Sequence, residues 1–143
     1  MELTLARPDD WHLHVRDGTA LAAVIAHTAR QFARAIIMPN LQPPVTGVEQ
    51  ARAYRARILA ALPADSAFNP LMTLYLTDNT TASDIQAAAA DDSVYAVKLY
   101  PAGATTHSDA GVTNISNTWA ALEAMQSRGL PLLVHAEITD TVV

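Results

Sequence analysis

His12 and His14 stand two residues apart in the stretch DDWHLHVRDG, residues 9–18, with Arg16 and Asp17 close behind. On an extended strand, residues i and i+2 point to the same side with Cα atoms about 6.5–7 Å apart. Two imidazoles so placed can reach one ion at about 2.0–2.1 Å. The alternative is two polar histidines at a strand end, partnered by Asp9 or Asp10. His135 follows the apolar run Leu132-Leu133-Val134 and is either a further ligand or a hydrogen-bonded structural residue. Lys98 lies inside Ala96-Val97-Lys98-Leu99, yet lysine is almost never fully buried unless paired. Either it snorkels to the strand end, or burial lowers its pKa and the neutral amine takes up carbon dioxide. The resulting carbamate is a two-oxygen anion able to bridge two metals, and no Asp or Glu ends this strand. Arg16 offers a fork for a substrate carboxylate, or else a salt bridge to Asp10 or Asp17. Asn40, directly after Pro39, offers donors and an acceptor to an anion or amide, or simply makes a turn. His27 reads as a surface or packing residue of a helix, and His107, in a long loop, is given no role.

These side chains can act together only if the chain gathers them. Short apolar runs alternate with helical patterns. Strands are expected over 11–15, 34–38, 71–77, 95–100 and 132–135. Helices are expected over 19–32, 48–62, 83–90 and 116–128. Thr46 is the expected cap of the second helix, with Glu49 three residues on. Residues 41–47 and 102–115 read as loops, and a further loop begins after His135. Strands alternating with helices predict a parallel sheet covered by helices. Near-continuous apolar strands agree, because parallel strands are buried on both faces. His12, His14, Arg16, Asn40, Thr77, Asp78, Lys98, Tyr100, His135 and Glu137 then all lie at or near carboxyl ends of strands. In a parallel sheet those ends share one rim, which is where ligands bind in such folds.

Composition narrows the classes. The chain has 143 residues, half of them apolar, with a net charge of −5. That suits one folded unit with a sizeable core. No basic stripe exists to attract nucleic acid. Cysteine is absent, so any metal must be held by His, carboxylate or modified Lys; a reducing compartment fits. No apolar run approaches the roughly 20 residues of a membrane span, and residues 1–10 lack the regions of a signal peptide. A cytoplasmic protein is expected.

The segments RPDDWHLHVRDG, AIIMPNLQPPVTGVE, LMTLYLTD, AVKLYPAGATT, GVT and PLLVHAE, in this order and on these strand ends, resemble the amino-terminal part of a dihydroorotase. The type is the shorter monofunctional bacterial one, within the amidohydrolase superfamily of metal-dependent (β/α)8 barrels. The resemblance runs over essentially the whole chain. It implies an α/β fold of about five βα units. It implies two zinc ions bridged by carbamylated Lys98, with His12 and His14 on the more buried ion and His135 on the second. Arg16 and Asn40 would hold the substrate carboxylate, and Tyr100 would lie close behind the site. The implied reaction is reversible cyclisation of N-carbamoyl-L-aspartate to L-dihydroorotate in pyrimidine synthesis. Members of this type are often homodimers.

A barrel of this kind needs about 250 residues. The resemblance therefore makes residues 1–143 a partial domain. The rest of the barrel, with the family's catalytic aspartate and its remaining ligand histidine, would lie beyond residue 143, in cis or on a separate chain. No catalytic aspartate is assigned within this chain, and the chain alone is expected to be inactive. Two rivals remain. One is another cyclic amidohydrolase, acting on a hydantoin or allantoin ring. The other is a non-catalytic dihydroorotase-like subunit that serves assembly.

Overall fold

The computed structural model describes residues 2–139. Five strands, β1 (Asp9–Leu13), β2 (Arg34–Ile37), β3 (Asn69–Leu76), β4 (Val94–Leu99) and β5 (Leu132–Val134), form one parallel sheet. Four helices connect them: α1 (Gly18–Gln31), α2 (Val48–Ala61), α3 (Ala82–Ala89) and α4 (Trp119–Arg128). The spatial order is β1-β2-β3-β4-β5, the same as the order along the chain. An open doubly wound sheet would reverse its order at a switch point; this one never does. Successive crossovers of one hand place every helix on the same face, and α1 packs on α2, α2 on α3 and α3 on α4. The result is a curled half-barrel of βα units, the arc that a (β/α)8 architecture repeats.

Each helix lays a narrow apolar stripe on the sheet. Leu21, Ile25 and Ala29 come from α1, Ala51, Tyr54 and Ile58 from α2, Ile85 and Ala88 from α3. They meet Ile37, Leu74, Leu76 and Val97 in the main core. The opposite, concave face carries a smaller cluster of Ile36, Met38 and Leu71, with Leu133 against it. Leu13 packs toward the main core. Side chains alternate across a strand, so His12 and His14 point the other way, into the concavity. No helix among the described residues is long and apolar enough to cross a membrane.

Besides one-residue shifts of several ends, four differences from the sequence reading stand out, each for a local reason. β1 runs Asp9–Leu13 rather than 11–15. Its register shifts between Asp10 and Leu13, and Asp10 Oδ1 accepts the His12 amide at 3.0 Å. Gly47, not Thr46, is the N-cap of α2. The Gln50 carboxamide oxygen accepts from the amides of both residues, at 2.7 and 3.1 Å. α4 begins at Trp119, after a 3-10 turn over Ile115–Thr118 that the Asn114 side chain caps. β3 starts earlier than expected, at Asn69, because Arg55 holds Asn69 Oδ1 at 2.9 Å and the Pro70 carbonyl at 3.3 Å. The loop expected after His135 is seen through Thr139; residues 140–143 lie outside the described residues.

One ion pair fastens the first two strands. Arg34 Nε donates to both oxygens of Asp9 at 3.1 Å. These bonds hold the Asp9 carboxyl below its ordinary 3.8. With the folded pKa below the unfolded one, the stabilisation is present above the unfolded value and fades as pH falls through the folded one. The difference in urea midpoint between wild type and Arg34→Met is therefore expected to hold steady from about pH 8 to 5 and to shrink below about pH 4. A difference that persists undiminished into stronger acid would refute that origin.

Candidate active site

The site is built on the concave face, where the strands end. His12 Nε2 and His14 Nε2 face each other at 3.1 Å. Two nitrogens on one tetrahedral zinc, each at about 2.0–2.1 Å, lie about 3.3–3.4 Å apart. The pair is thus already set at ligand spacing. The carboxylates that might have claimed it are engaged elsewhere: Asp9 with Arg34, Asp10 with a backbone amide. Burial pushes His12 down from its ordinary pKa, helped by the nearby Lys98 charge and opposed by that of Asp10. Burial, then the Arg16 charge, push His14 down to about 4. Both rings are therefore neutral at pH 7, the form that binds metal. His14 Nδ1 is buried without a hydrogen-bond partner, although Asn40 lies beside the ring.

Lys98 is 2% exposed. It sits opposite Tyr75 on β3 and Leu133 on β5. No carboxylate among the described residues pairs with it. Its Nζ lies 5.2 Å from the centre of the Tyr100 ring. Burial lowers its pKa, which enriches the neutral, nucleophilic amine. The snorkelling alternative needs a head group in water, and this one is buried.

Tyr100 is the hub behind these groups. Its ring stacks on Tyr75 at 5.1 Å and lies 5.8 Å from the His135 ring. Its hydroxyl is buried without a partner. His135, just past β5, donates its amide to Leu99 O at 2.9 Å, and its Nε2 lies 2.9 Å from Glu137 Oε2. Thus the structure brings His12 to His14 and sets Lys98 and His135 beside Tyr100. Among the described residues, no three His, Cys, Asp or Glu side chains close on a single point.

Arg16 lies where β1 has ended, with φ at +57°. A non-glycine residue held in that region costs about 1–3 kcal/mol and persists only when its surroundings fix it. Neither of the alternative ion pairs, to Asp10 or Asp17, forms. Asp17 caps α1 through Gly18 N at 2.9 Å and forks onto Arg57 at 2.8 and 3.0 Å. Arg16 Nη1 is buried without a partner. Beside it opens a cleft of about 360 Å³ walled by Leu41, Pro43, Pro44, Arg57 and His107.

Asn40 is buried, and its Nδ2 donates to Thr106 O at 2.9 Å. His107 Nδ1 lies 3.2 Å from Asn40 O. His107, assigned no role from sequence, therefore borders the cleft and braces Asn40, at a φ of +56°. Spacing gives no hint of this, since 67 positions separate the two. The 102–115 loop that delivers His107 is firmly anchored. Val112 N donates to Tyr100 O at 2.8 Å, and Asp78 accepts from Thr113 N at 3.0 Å. A Cβ on Gly111 would lie 2.4 Å from Tyr100 O, so only glycine permits that approach. Asp78, expected on the rim, is thus a structural tie. His27 hydrogen-bonds Arg30, at 2.7 Å on an exposed helix face.

Residues 10–143 match the amidohydrolase family. The chain belongs to that family. The dihydroorotase of Cupriavidus necator is 74% identical over 139 residues, which are 97% of this amidohydrolase chain and 40% of the relative. That of Leptothrix cholodnii is 72% identical over 141 residues, 41% of its length. The crystal structure of dihydroorotase from Campylobacter jejuni superimposes with a TM-score of 0.86 at 43% identity, covering 95% of this chain and 40% of that one. The chain thus spans about two fifths of the relatives it matches. An L-hydantoinase from Arthrobacter aurescens, at 14% identity and a TM-score of 0.71, shares the fold.

Proposed function

We propose that the complete protein is a dihydroorotase, which interconverts N-carbamoyl-L-aspartate and L-dihydroorotate in the cytoplasm. Residues 1–143 form the first part of its single amidohydrolase domain. The remaining barrel strands, with the catalytic aspartate, are supplied in cis or by a separate chain, and the active unit is a homodimer. The observation that carries this reading is the facing His12–His14 pair beside a buried Lys98 with no carboxylate partner, in a chain so similar to dihydroorotases.

The residues fit a pair of zinc ions. His12 and His14 would hold one and His135 the other, with carbamylated Lys98 as a further ligand. Zinc bound there would supply Lewis-acid activation of water and of the ring amide carbonyl near neutral pH. This chain's own residues bind and orient. Arg16 meets the substrate carboxylate with its guanidinium, which no carboxylate among the described residues engages. Asn40, fixed by Thr106 and His107, adds an amide contact to the same group. Tyr75 and Tyr100 form a dry aromatic floor under Lys98 and keep it free of competing water. An unsatisfied guanidinium favours a carboxylated substrate over a plain hydantoin ring. A non-catalytic assembly subunit has no need of His12, His14, Lys98 and His135 together, and all four are present.

The test measures zinc content and dihydroorotate hydrolysis in the full-length protein and in purified residues 1–143. Two zinc ions per full-length chain with turnover, and no turnover by residues 1–143 alone, are expected. Less than one zinc per full-length chain after zinc-supplemented growth would favour the assembly role, and activity of the isolated segment would refute the division of labour.

A further inference from the structure

Tyr54 and Arg57 lie on one face of α2, outside the sheet, yet both act on the residues around Arg16. The Tyr54 hydroxyl donates to the Arg16 carbonyl at 2.6 Å. Tyr54 is 1% exposed, so this bond forms away from competing water. One residue on, Asp17 is gripped from two sides: it caps α1 through Gly18 N and accepts the two-pronged fork of Arg57. The Arg57 guanidinium carbon also sits 5.4 Å over the Tyr54 ring, which joins both contacts into one unit. Between these anchors stands a left-handed, non-glycine residue with a buried, unpartnered Nη1. A strained backbone of this kind holds only where neighbours over-determine it.

We propose that Tyr54 and Arg57 are positioning residues for Arg16. They clamp the Arg16–Asp17 peptide so that the guanidinium keeps one orientation, preorganised for a carboxylate. The proposal rests on the reading of Arg16 as the carboxylate-binding group. It adds that affinity for the substrate is set partly by α2 residues acting through the Arg16 backbone. Preorganisation of this sort acts on binding more than on the chemical step.

The test uses the full-length protein and Tyr54→Phe, which keeps the ring beneath Arg57 and removes only the hydroxyl. KM for dihydroorotate is expected to rise about five- to tenfold, with kcat within about twofold and zinc per chain unchanged. A crystal structure of the variant should show the Arg16 guanidinium displaced. Should Tyr54→Phe fail to fold, Arg57→Met carries the test: it breaks the fork while Asp17 still caps α1. Arg57→Lys should recover part of the loss. Unchanged KM in these variants with Arg16 in place would overturn the proposal, and so would a fall in kcat accompanied by zinc loss. If the wild type does not turn over dihydroorotate, the proposed function fails, and the position of Arg16 in the variant crystal still decides the clamp.

Discussion

Replacing Lys98 with alanine in the full-length protein is expected to lower kcat/KM for dihydroorotate roughly a thousandfold, about 4 kcal/mol of transition-state stabilisation. Zinc should fall below two per chain. The reason is positional. Among the described residues, Lys98 is the one charged side chain of the buried polar set, and it has no acidic partner there. A buried lysine with no counter-ion burdens the fold, because burial disfavours its charged form. Its removal should therefore leave thermal stability of the metal-free protein unchanged or improved. A structural lysine would behave in the opposite way, with stability lost and activity kept. Normal turnover and two bound zinc ions in Lys98→Ala would refute the assignment.

The second large effect is expected at Arg16. Arg16→Met should lower kcat/KM by about a hundredfold, near 3 kcal/mol, chiefly through KM. Methionine keeps the length and bulk of the side chain and removes the fork, so a substrate carboxylate would be left without its charged partner. Arg16→Lys should restore only part of the loss, because an ammonium is a point charge and cannot form two parallel bonds. A KM within about twofold of wild type in Arg16→Met would mean that the carboxylate is held elsewhere.

The order of elements is legible in the sequence because each strand is a short apolar run and each helix shows its period. The gathering of His12, His14, Lys98 and His135 on one side follows from a parallel sheet and from side-chain alternation. What the sequence conceals is long-range or non-periodic. Gln50 takes over the capping expected of Thr46 because its carboxamide reaches both Thr46 and Gly47 amides. β1 slips against its expected span at an irregularity in register, which no periodicity reveals. His107 reaches Asn40, and Tyr54 reaches Arg16, across 67 and 38 positions. Neither residue is unusual where it stands: one lies in a polar loop, the other on a helix stripe that reads as ordinary core. Their roles depend on left-handed backbone at Arg16 and His107, and side-chain patterning does not report backbone handedness.

Those two left-handed residues carry a consequence for how this protein can be altered. Glycine at position 16 or 107 would adopt the same backbone without steric cost, and asparagine would tolerate it better than arginine. If Arg16 binds the substrate as proposed, thermal stability and ligand affinity pull in opposite directions at the edge of the cleft. Selection for heat resistance alone would drift toward glycine at both positions and gradually disarm the protein, whereas selection for turnover would retain the costlier side chains. The stability threshold of this molecule is set in part by what it must hold ready to bind.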